Sequence, residues 1–245
     1  MNNKLLLALR AEKSNVEIHQ HSAFQIVITA DNFFHTTIEK KKHKNIFGFA
    51  IKPNVAHSCE CSQSNVIILN IEPLSFFGKY IAEKLGTSDT AVFFDQNGFR
   101  EFFNDREDHF SICNLLNSGN ENHKTQETDK RIQQAISFIN THFASGHIST
   151  QDIAAHVFLS PSRLAALFKQ QTGSSISKYL LWTRLRNAIF QILTENNKTL
   201  TSIALESGFY DSSQMNKYMY QMFGVSPSKL KQKSNLIQFL DLETN

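Results

Sequence analysis

The sequence predicts an α+β protein with a β-rich first half and an all-helical second half. Three observations predict this class. In the first half apolar residues fall at every second position, the period of a β-strand, as in Val16, Ile18, Phe24, Ile26 and Ile28. After residue 130 they recur every three to four positions, the period of an α-helix. The charge divides at the same point, because residues 1–129 carry a net −3 and residues 130–233 carry +8.

The composition is that of an ordinary globular chain, with 41% hydrophobic and 19% charged residues among 245. This length suits one large domain or two small ones. We expect no membrane-spanning segment, because no run of about 18 apolar residues occurs. We also expect no signal peptide and a cytoplasmic location, because no small-residue cleavage site follows the first residues. Cys59, Cys61 and Cys113 form neither a disulfide framework nor a zinc pattern, so they are predicted to be reduced thiols.

The first half is predicted to hold strands between residues 14 and 75, including a buried run at Val66–Ile71, and helices over 74–85 and 98–117. The second helix is amphipathic. It packs either on its own domain or on a second copy of the chain, so a homodimer is one of two alternatives. The polar segment 119–129 predicts a linker after a first domain of residues 1–118.

The second domain is predicted over residues 130–233, followed by a tail at 234–245. Twice, over roughly 149–171 and 200–223, a short helix, a tight turn and a second helix follow one another. Their signals are a capping box at Ser149 and Asp152, a Ser160–Pro161 start, and an Asp211 cap with Gln214 three residues later. A long helix over about 175–194 joins the two units. This arrangement predicts two helix-turn-helix units, whose second helices enter the DNA major groove.

Polar residues on the outer faces of these second helices are the predicted base-reading groups. They are Ser162, Arg163, Ala165, Ala166, Ser213, Gln214, Lys217 and Gln221. Phosphate contacts are predicted for Lys169, Lys178, Arg184, Arg186, Lys198 and Ser212. For each basic residue the alternative is a solvated surface charge, and Arg184 lies beside the buried stripe of its helix. Trp182 is predicted to be a core residue.

The order and spacing of several motifs over about 131–231 resemble the AraC/XylS family of transcription regulators. The motifs are Ile153-Ala154, Leu159-Ser160-Pro161, Leu167-Phe168-Lys169, Thr172-Gly173, Arg184-Leu185, Ile203-Ala204, Ser207-Gly208-Phe209 and Phe223-Gly224-Val225-Ser226-Pro227. The resemblance implies two recognition helices in successive major grooves, about 34 Å apart. It also implies RNA polymerase as a partner if the protein activates transcription.

This chain departs from the family pattern at several positions. Ala165 and Ala166 stand where long polar side chains are frequent, Met215 and Met219 where Phe is usual, and Lys217 where Arg is common. Alanine can contact a thymine methyl group but cannot form a bidentate hydrogen bond. We therefore expect the second unit to discriminate between bases more than the first.

A short pattern in the first half resembles the cupin-like β-barrel that often precedes this type of DNA-binding domain. Its residues His19, His21, Gln25 and His57 are predicted to line an effector pocket. Two histidines one residue apart on a strand can meet one metal ion. However, Gln25 stands where metal-binding cupins have Glu, so we predict no metal and no cofactor.

The sequence therefore predicts a DNA-binding transcription regulator that binds duplex DNA, is not an enzyme and has no membrane partner. A small effector in the N-terminal barrel is a further expectation. Two alternatives remain. In one the chain is a metal-dependent cupin enzyme that uses His19, His21 and His57. In the other it is a DNA-binding module whose first half only dimerises.

Overall fold

The computed structural model describes residues 6–103, 128–145, 148–232 and 237–239. The chain divides into two compact units. The sheet unit comprises residues 1–18, 23–126 and 236–245, and the helical unit comprises residues 19–22 and 127–235. The predicted linker up to residue 127, the part of the predicted helix 98–117 beyond residue 103, and Cys113 lie outside the described residues.

The sheet unit is built from two antiparallel sheets. Its strands are β1 (Leu6–Glu12), β2 (Asn15–His19), β3 (Phe24–Thr29), β4 (Phe34–Ile38), β5 (Lys41–Ile46), β6 (Gly48–Ile51), β7 (His57–Glu60), β8 (Asn65–Ile71), β9 (Thr90–Phe93) and β10 (Ile237–Phe239). One sheet has the order β10-β1-β8-β3-β6-β9 and the other β2-β7-β4-β5. Among the described strands the two sheets do not close, so the predicted cupin-like barrel is open.

One face of the larger sheet packs against two helices, α1 (Phe76–Leu85) and α2 (Gln96–Phe103). Aromatic rings fill this layer. Phe99 lies 5.1 Å from Phe93 and 4.9 Å from Phe103 between ring centroids, and the Tyr80 hydroxyl donates to the Phe103 carbonyl at 2.6 Å. The large number of phenylalanines in the sequence is thus explained in part by core packing.

Two features of the sheet unit differ from the sequence expectation. The strands β1, β9 and β10 were not predicted. Ile18 is 61% exposed and His19 is buried, although the alternating pattern placed Ile18 among the apolar positions. β2 is the outer strand of the smaller sheet. A residue on such an edge has fewer neighbours, so alternation predicts its burial poorly.

The cysteines on and after β7 are buried free thiols, as the sequence predicts for Cys59 and Cys61. A hydrogen bond with Cys61 and burial raise the pKa of the Cys59 thiol well above its ordinary value. A thiol with a raised pKa forms little thiolate, so Cys59 is chemically unreactive.

The helical unit contains seven further described helices. They are α3 (Lys130–His142), α4 (Thr150–His156), α5 (Pro161–Thr172), α6 (Ile176–Thr194), α7 (Leu200–Glu206), α8 (Ser212–Phe223) and α9 (Pro227–Gln232). The capping box at Ser149 and Asp152 is present, and Gly173 and Gly224 end α5 and α8 in the left-handed conformation. Trp182 is fully buried, as predicted. No helix among the described residues is long and apolar enough to cross a membrane.

Candidate nucleic-acid interface

The helical unit holds two helix-turn-helix units with the same turn. The first consists of α4 and α5 and the second of α7 and α8. In each turn three successive backbone N–H groups donate to carbonyl oxygens of the preceding helix, at 3.0–3.2 Å in the first unit and 2.9–3.0 Å in the second. The donors are Val157, Phe158 and Leu159 in the first unit and Ser207, Gly208 and Phe209 in the second. The two turns are therefore equivalent at a spacing of 50 residues.

One position of the turn has a left-handed backbone in both units, with φ of +55° at Phe158 and +82° at Gly208. In the second unit this position requires glycine, because a Cβ at Gly208 would collide with the Phe143 carbonyl oxygen and crowd Arg184. The Arg184 Nε group donates to that same carbonyl at 2.9 Å. Phe158, by contrast, is 93% exposed, so its turn tolerates a side chain at the cost of backbone strain.

The outer face of α5 carries the residues that the sequence predicts. Leu164, Phe168 and Thr172 are buried, and they fix which side of the helix faces solvent. All five predicted contact residues on this helix are exposed, namely Ser162, Arg163, Ala165, Ala166 and Lys169. Only Ser162, Arg163 and Lys169 among them can form side-chain hydrogen bonds to DNA.

The outer face of α8 is richer in hydrogen-bonding groups. Met215, Met219, Met222 and Phe223 are buried, which turns the opposite side outward. Among the predicted residues, Ser213, Lys217 and Gln221 are exposed and Ser212 and Gln214 are partly exposed. Asn216 and Tyr220 are exposed on the same face, and Tyr210 just before the helix is 84% exposed. The sequence placed Asn216 and Tyr220 on this outer face without including them among the contact residues, and it did not single out Tyr210.

Gln214 is engaged in the start of α8. Its Oε1 atom accepts from the Tyr210 backbone N–H at 2.9 Å, while the Asp211 carboxylate accepts from the Gln214 backbone N–H at 2.7 Å. This is a reciprocal cap in which the glutamine reaches one residue further back than in a capping box. Bidentate recognition of adenine by Gln214 would require the hydrogen bond between its Oε1 atom and the Tyr210 N–H to break.

The predicted phosphate contacts fall into two groups. Lys169 and Lys178 are exposed and Ser212 is partly exposed. Arg184 donates to the Phe143 carbonyl, and burial lowers the pKa of its guanidinium. Arg186 is only 9% exposed. The geometry thus favours structural roles for Arg184 and Arg186.

Lys198 also has partners within the helical unit. Its Nζ atom lies 2.6 Å from Glu206 Oε2 and 3.1 Å from Gln191 Oε1. Hydrogen bonding to Glu206 raises the pKa of the lysine. The Lys231 ammonium in turn donates to the Lys198 carbonyl at 2.5 Å. The Lys198 side chain therefore links the end of α7 to α6, and its charge is already paired before any phosphate approaches.

A further charged group lies beside the first unit. Asp129 caps α3, and its carboxylate is 2.6 Å from the Arg131 guanidinium. Hydrogen bonding to Arg131 lowers the pKa of Asp129 to about 2, and the charge of Arg163 contributes. The Asp129 N–H donates to Gln171 Oε1 at 3.1 Å, which anchors it to α5. Arg163 therefore lies within the field of a fixed carboxylate.

The predicted effector-pocket residues are all buried, but they are divided between the two units. Gln25 and His57 belong to the sheet unit, whereas His19 and His21 are grouped with the helical unit. Gln25 Nε2 donates to Asn70 Oδ1 at 3.0 Å, and His57 Nδ1 lies 2.9 Å from the Val55 carbonyl oxygen. Next to His21, the Ser22 hydroxyl lies 2.7 Å from that of Ser174.

Comparison with known proteins bears on the helical unit first. A helix-turn-helix domain family matches residues 153–233. The arabinose operon regulatory protein of Salmonella typhimurium is 31% identical over 103 residues, which cover 42% of this chain and 36% of that protein. The chain thus spans only about a third of the length of the first curated relatives that it matches.

Two similarities extend into the sheet unit. The probable transcriptional regulator LumQ of Photobacterium leiognathi is 25% identical over 195 residues, covering 74% of this chain and 77% of that protein. The structure of ToxT from Vibrio cholerae aligns with a TM-score of 0.59 at 14% identity, over 93% of this chain and 98% of that one. ToxT has also been solved with an unsaturated fatty acid bound. The ToxT likeness shows the fold alone, whereas the family match shows a helix-turn-helix domain over residues 153–233, the part of the chain that is similar to the curated regulators.

Proposed function

We propose that the protein is a sequence-specific DNA-binding transcription regulator. The observation that carries the proposal is the pair of equivalent helix-turn-helix turns, each followed by a capped helix with an exposed outer face. In such a unit the second helix lies in the major groove, where each base pair presents a distinct pattern of donors and acceptors. Two units on one chain read two grooves, and their different faces make the DNA site asymmetric.

The two recognition helices have different tasks. On α8, Lys217 hydrogen-bonds guanine, while Ser213, Asn216 and Gln221 offer further donors and acceptors. On α5, Arg163 is the main base-reading group, and the adjacent alanines make apolar contacts with thymine methyl groups. Lys169, Lys178 and Ser212 contact phosphates, which fixes the register without reading sequence.

The test is selection of binding sites from a randomised duplex pool by the full chain, followed by affinity measurements at several salt concentrations. We expect an asymmetric motif, and affinity that falls steeply with salt as counterions are released. Arg163→Ala and Lys217→Ala should each blur a different part of the motif, whereas Lys130→Ala, an exposed lysine at the start of α3, serves as the matched control. Absence of a selected motif, or affinity that does not depend on salt, would contradict the proposal.

The sheet unit controls this activity through a small effector. Gln25 and His57 supply polar groups among the apolar walls of the sheets, and ToxT, which has a similar fold, is known with an unsaturated fatty acid bound. Because the matched relatives are named regulators, control of transcription is favoured over the metal-dependent cupin enzyme. We further propose that the protein acts in the cytoplasm and forms a dimer. If it activates transcription, we expect it to contact RNA polymerase.

A reporter gene fused to the selected DNA site tests the effector hypothesis. His19→Ala combined with His21→Ala should alter regulation by the full chain, because these residues belong to the predicted pocket. Gln25→Leu is a second variant that retains side-chain volume within the sheet unit. If both variants fold normally and regulate like the parent protein, the three substituted residues have a structural role only.

A further inference from the structure

The connection between the turn and the recognition helix is one residue longer in the second unit than in the first. In the first unit the last turn residue, Leu159, is followed at once by Ser160, which caps α5. In the second unit Phe209 is the last turn residue, but the cap of α8 is Asp211. From the caps onward the two units therefore repeat at a spacing of 51 residues, whereas their turns repeat at 50. The additional residue is Tyr210.

The backbone of Tyr210 is held in place, although its side chain lies in solvent. Its N–H donates to Gln214 Oε1 at 2.9 Å, and the Gln214 N–H donates to the Asp211 carboxylate at 2.7 Å. Phe209 is only 4% exposed, whereas Tyr210 is 84% exposed. In the first unit the third residue after the cap is Arg163, whose side chain has no acceptor and cannot form such a bond. The second unit therefore fixes the backbone of an inserted residue and leaves its phenol ring accessible.

The position of Tyr210 favours a contact with the DNA backbone. A recognition helix enters the major groove with its N-terminal residues, so the residue just before its cap lies at the edge of the groove, where the phosphates are. The tyrosine phenol carries an O–H donor, and tyrosine is among the side chains that hydrogen-bond phosphate oxygens. Ser212, a predicted phosphate contact, follows two residues later and is partly exposed. Core packing does not account for a tyrosine at this position, because so little of it is buried.

We propose that the Tyr210 hydroxyl donates a hydrogen bond to a DNA phosphate at the edge of the groove read by α8, and that Gln214 is the residue that positions it. This inference rests on the proposed DNA binding and adds a phosphate contact that a count of basic residues does not indicate. A neutral hydroxyl differs from Lys169 in one measurable respect. A lysine that neutralises a phosphate releases counterions and steepens the dependence of affinity on salt, whereas a tyrosine adds affinity without changing that dependence.

The first experiment measures the affinity of the full chain for the duplex that it selects, at several salt concentrations. Tyr210→Phe removes the hydroxyl and keeps the ring, so we expect binding to weaken about three- to tenfold, with the selected motif and the salt dependence unchanged. Lys169→Ala should instead flatten the salt dependence. Tyr220→Phe, at an exposed tyrosine later in α8, is the matched control for loss of a phenol hydroxyl.

A phosphate-replacement scan then locates the contact. In each duplex one phosphate is replaced by an uncharged methylphosphonate, which weakens binding where the protein contacts that phosphate. At one position that weakens the parent protein, the replacement should have no effect on Tyr210→Phe, whereas Tyr220→Phe should remain sensitive there.

A double-mutant cycle tests the positioning role of Gln214. In the Gln214→Ala background, Tyr210→Phe should cost much less affinity than in the parent, because the acceptor that holds the Tyr210 N–H is gone. In the Gln214→Glu background, which retains that acceptor, the cost should equal that in the parent. Equal costs in all three backgrounds would remove Gln214 from the proposal.

The assignment of Tyr210 is overturned if Tyr210→Phe binds the selected duplex as tightly as the parent, or if both proteins are sensitive to the same set of phosphates. It is also overturned if Tyr210→Phe selects a different motif, because the hydroxyl then reads a base. A loss of affinity in Tyr210→Ala that Tyr210→Phe does not share would assign the contact to the ring. If the parent protein selects no duplex at all, the proposed DNA binding itself fails, and this outcome is distinct from DNA binding that is indifferent to Tyr210.

Discussion

The first and second helix-turn-helix units have the same backbone conformation in the turn, but their side chains differ at almost every exposed position. Their turns have the same three hydrogen bonds, yet the left-handed position is an exposed phenylalanine in one and a tightly packed glycine in the other. Their recognition helices are both capped, yet α5 exposes two adjacent alanines where α8 exposes Asn216 and Lys217. The comparison teaches that the turn sets where a recognition helix lies, whereas its outer face determines what it can read.

The largest expected effect comes from exchanging the residue at the left-handed turn position. Gly208→Ala forces a Cβ against the Phe143 carbonyl and imposes a positive φ on alanine, so we expect the helical unit to lose about 3 kcal/mol or more of stability. Phe158→Gly relieves the same backbone strain and should change stability by less than about 1 kcal/mol. Thermal unfolding of both variants checks the contrast. Equal losses would contradict the difference in packing between the two turns.

A smaller effect is expected from the contact residues themselves. Lys217→Ala should cost about 1–3 kcal/mol on the preferred DNA sequence and relax the preference at one or two positions. Lys169→Ala, in the first unit, should weaken binding to all sequences to a similar extent, as loss of a phosphate contact would. Motifs selected by the two variants decide between these outcomes. If Lys169→Ala changes the motif and Lys217→Ala does not, the assignment of reading to the second unit is wrong.

Substitutions of Gln214 can separate its role in base reading from its role in capping α8. Gln214→Ala removes the acceptor for the Tyr210 N–H and should destabilise the second unit by about 1 kcal/mol. Gln214→Glu retains that acceptor, so its stability should match the parent, while its negative charge opposes DNA. Thermal unfolding and binding-site selection are measured on both variants. A motif that Gln214→Ala leaves unchanged, with uniformly weaker binding, would assign Gln214 to capping alone.

The sequence predicted those parts of the helical unit that depend on near neighbours. The capping box at Ser149 and Asp152 and the glycine ends at Gly173 and Gly224 were predicted, because each signal spans only a few residues. The pairing of β1 with β10 was not predicted, since a strand contributed from so far along the chain leaves no local pattern.

The same limit applies to the candidate interface. The sequence identified the exposed faces of both recognition helices from their period. It could not reveal that Lys198 is paired with Glu206, or that the Gln214 carbonyl oxygen is used by Tyr210, because tertiary packing sets these contacts. Exposure alone separates Arg186 from Lys178, although both are basic residues of the same helix. Charge counted along a sequence therefore overestimates the number of phosphate contacts.

The smallest expected effect is a difference in pH response between the two units. Beside the first unit, the pKa of Asp129 is lowered from 3.8 to about 2 by its hydrogen bond with Arg131. A lowered carboxyl pKa stabilises the fold fully above the unfolded value, and that contribution is lost as the pH falls from 3.8 through about 2. In the second unit the pKa of Lys198 is raised and that of Glu206 is lowered by the same ion pair, so the contribution of this pair is lost both in acid and as the pH rises above the ordinary lysine range.

Melting temperatures between pH 2 and 5 test this difference with Asp129→Asn, which keeps a capping side chain but cannot ionise. We expect the parent protein to lose its advantage over the variant as the pH falls through this window, because only the parent takes up the extra proton. Other carboxylates titrate in both proteins, so the informative quantity is the difference between their curves. Lys198→Gln should show a comparable loss in acid, because the pKa of Glu206 is lowered by its hydrogen bond with Lys198 and the parent loses this pairing as Glu206 takes up a proton. Parallel curves for Asp129→Asn and the parent would mean that this exposed ion pair contributes nothing measurable to the first unit, as is common for surface pairs.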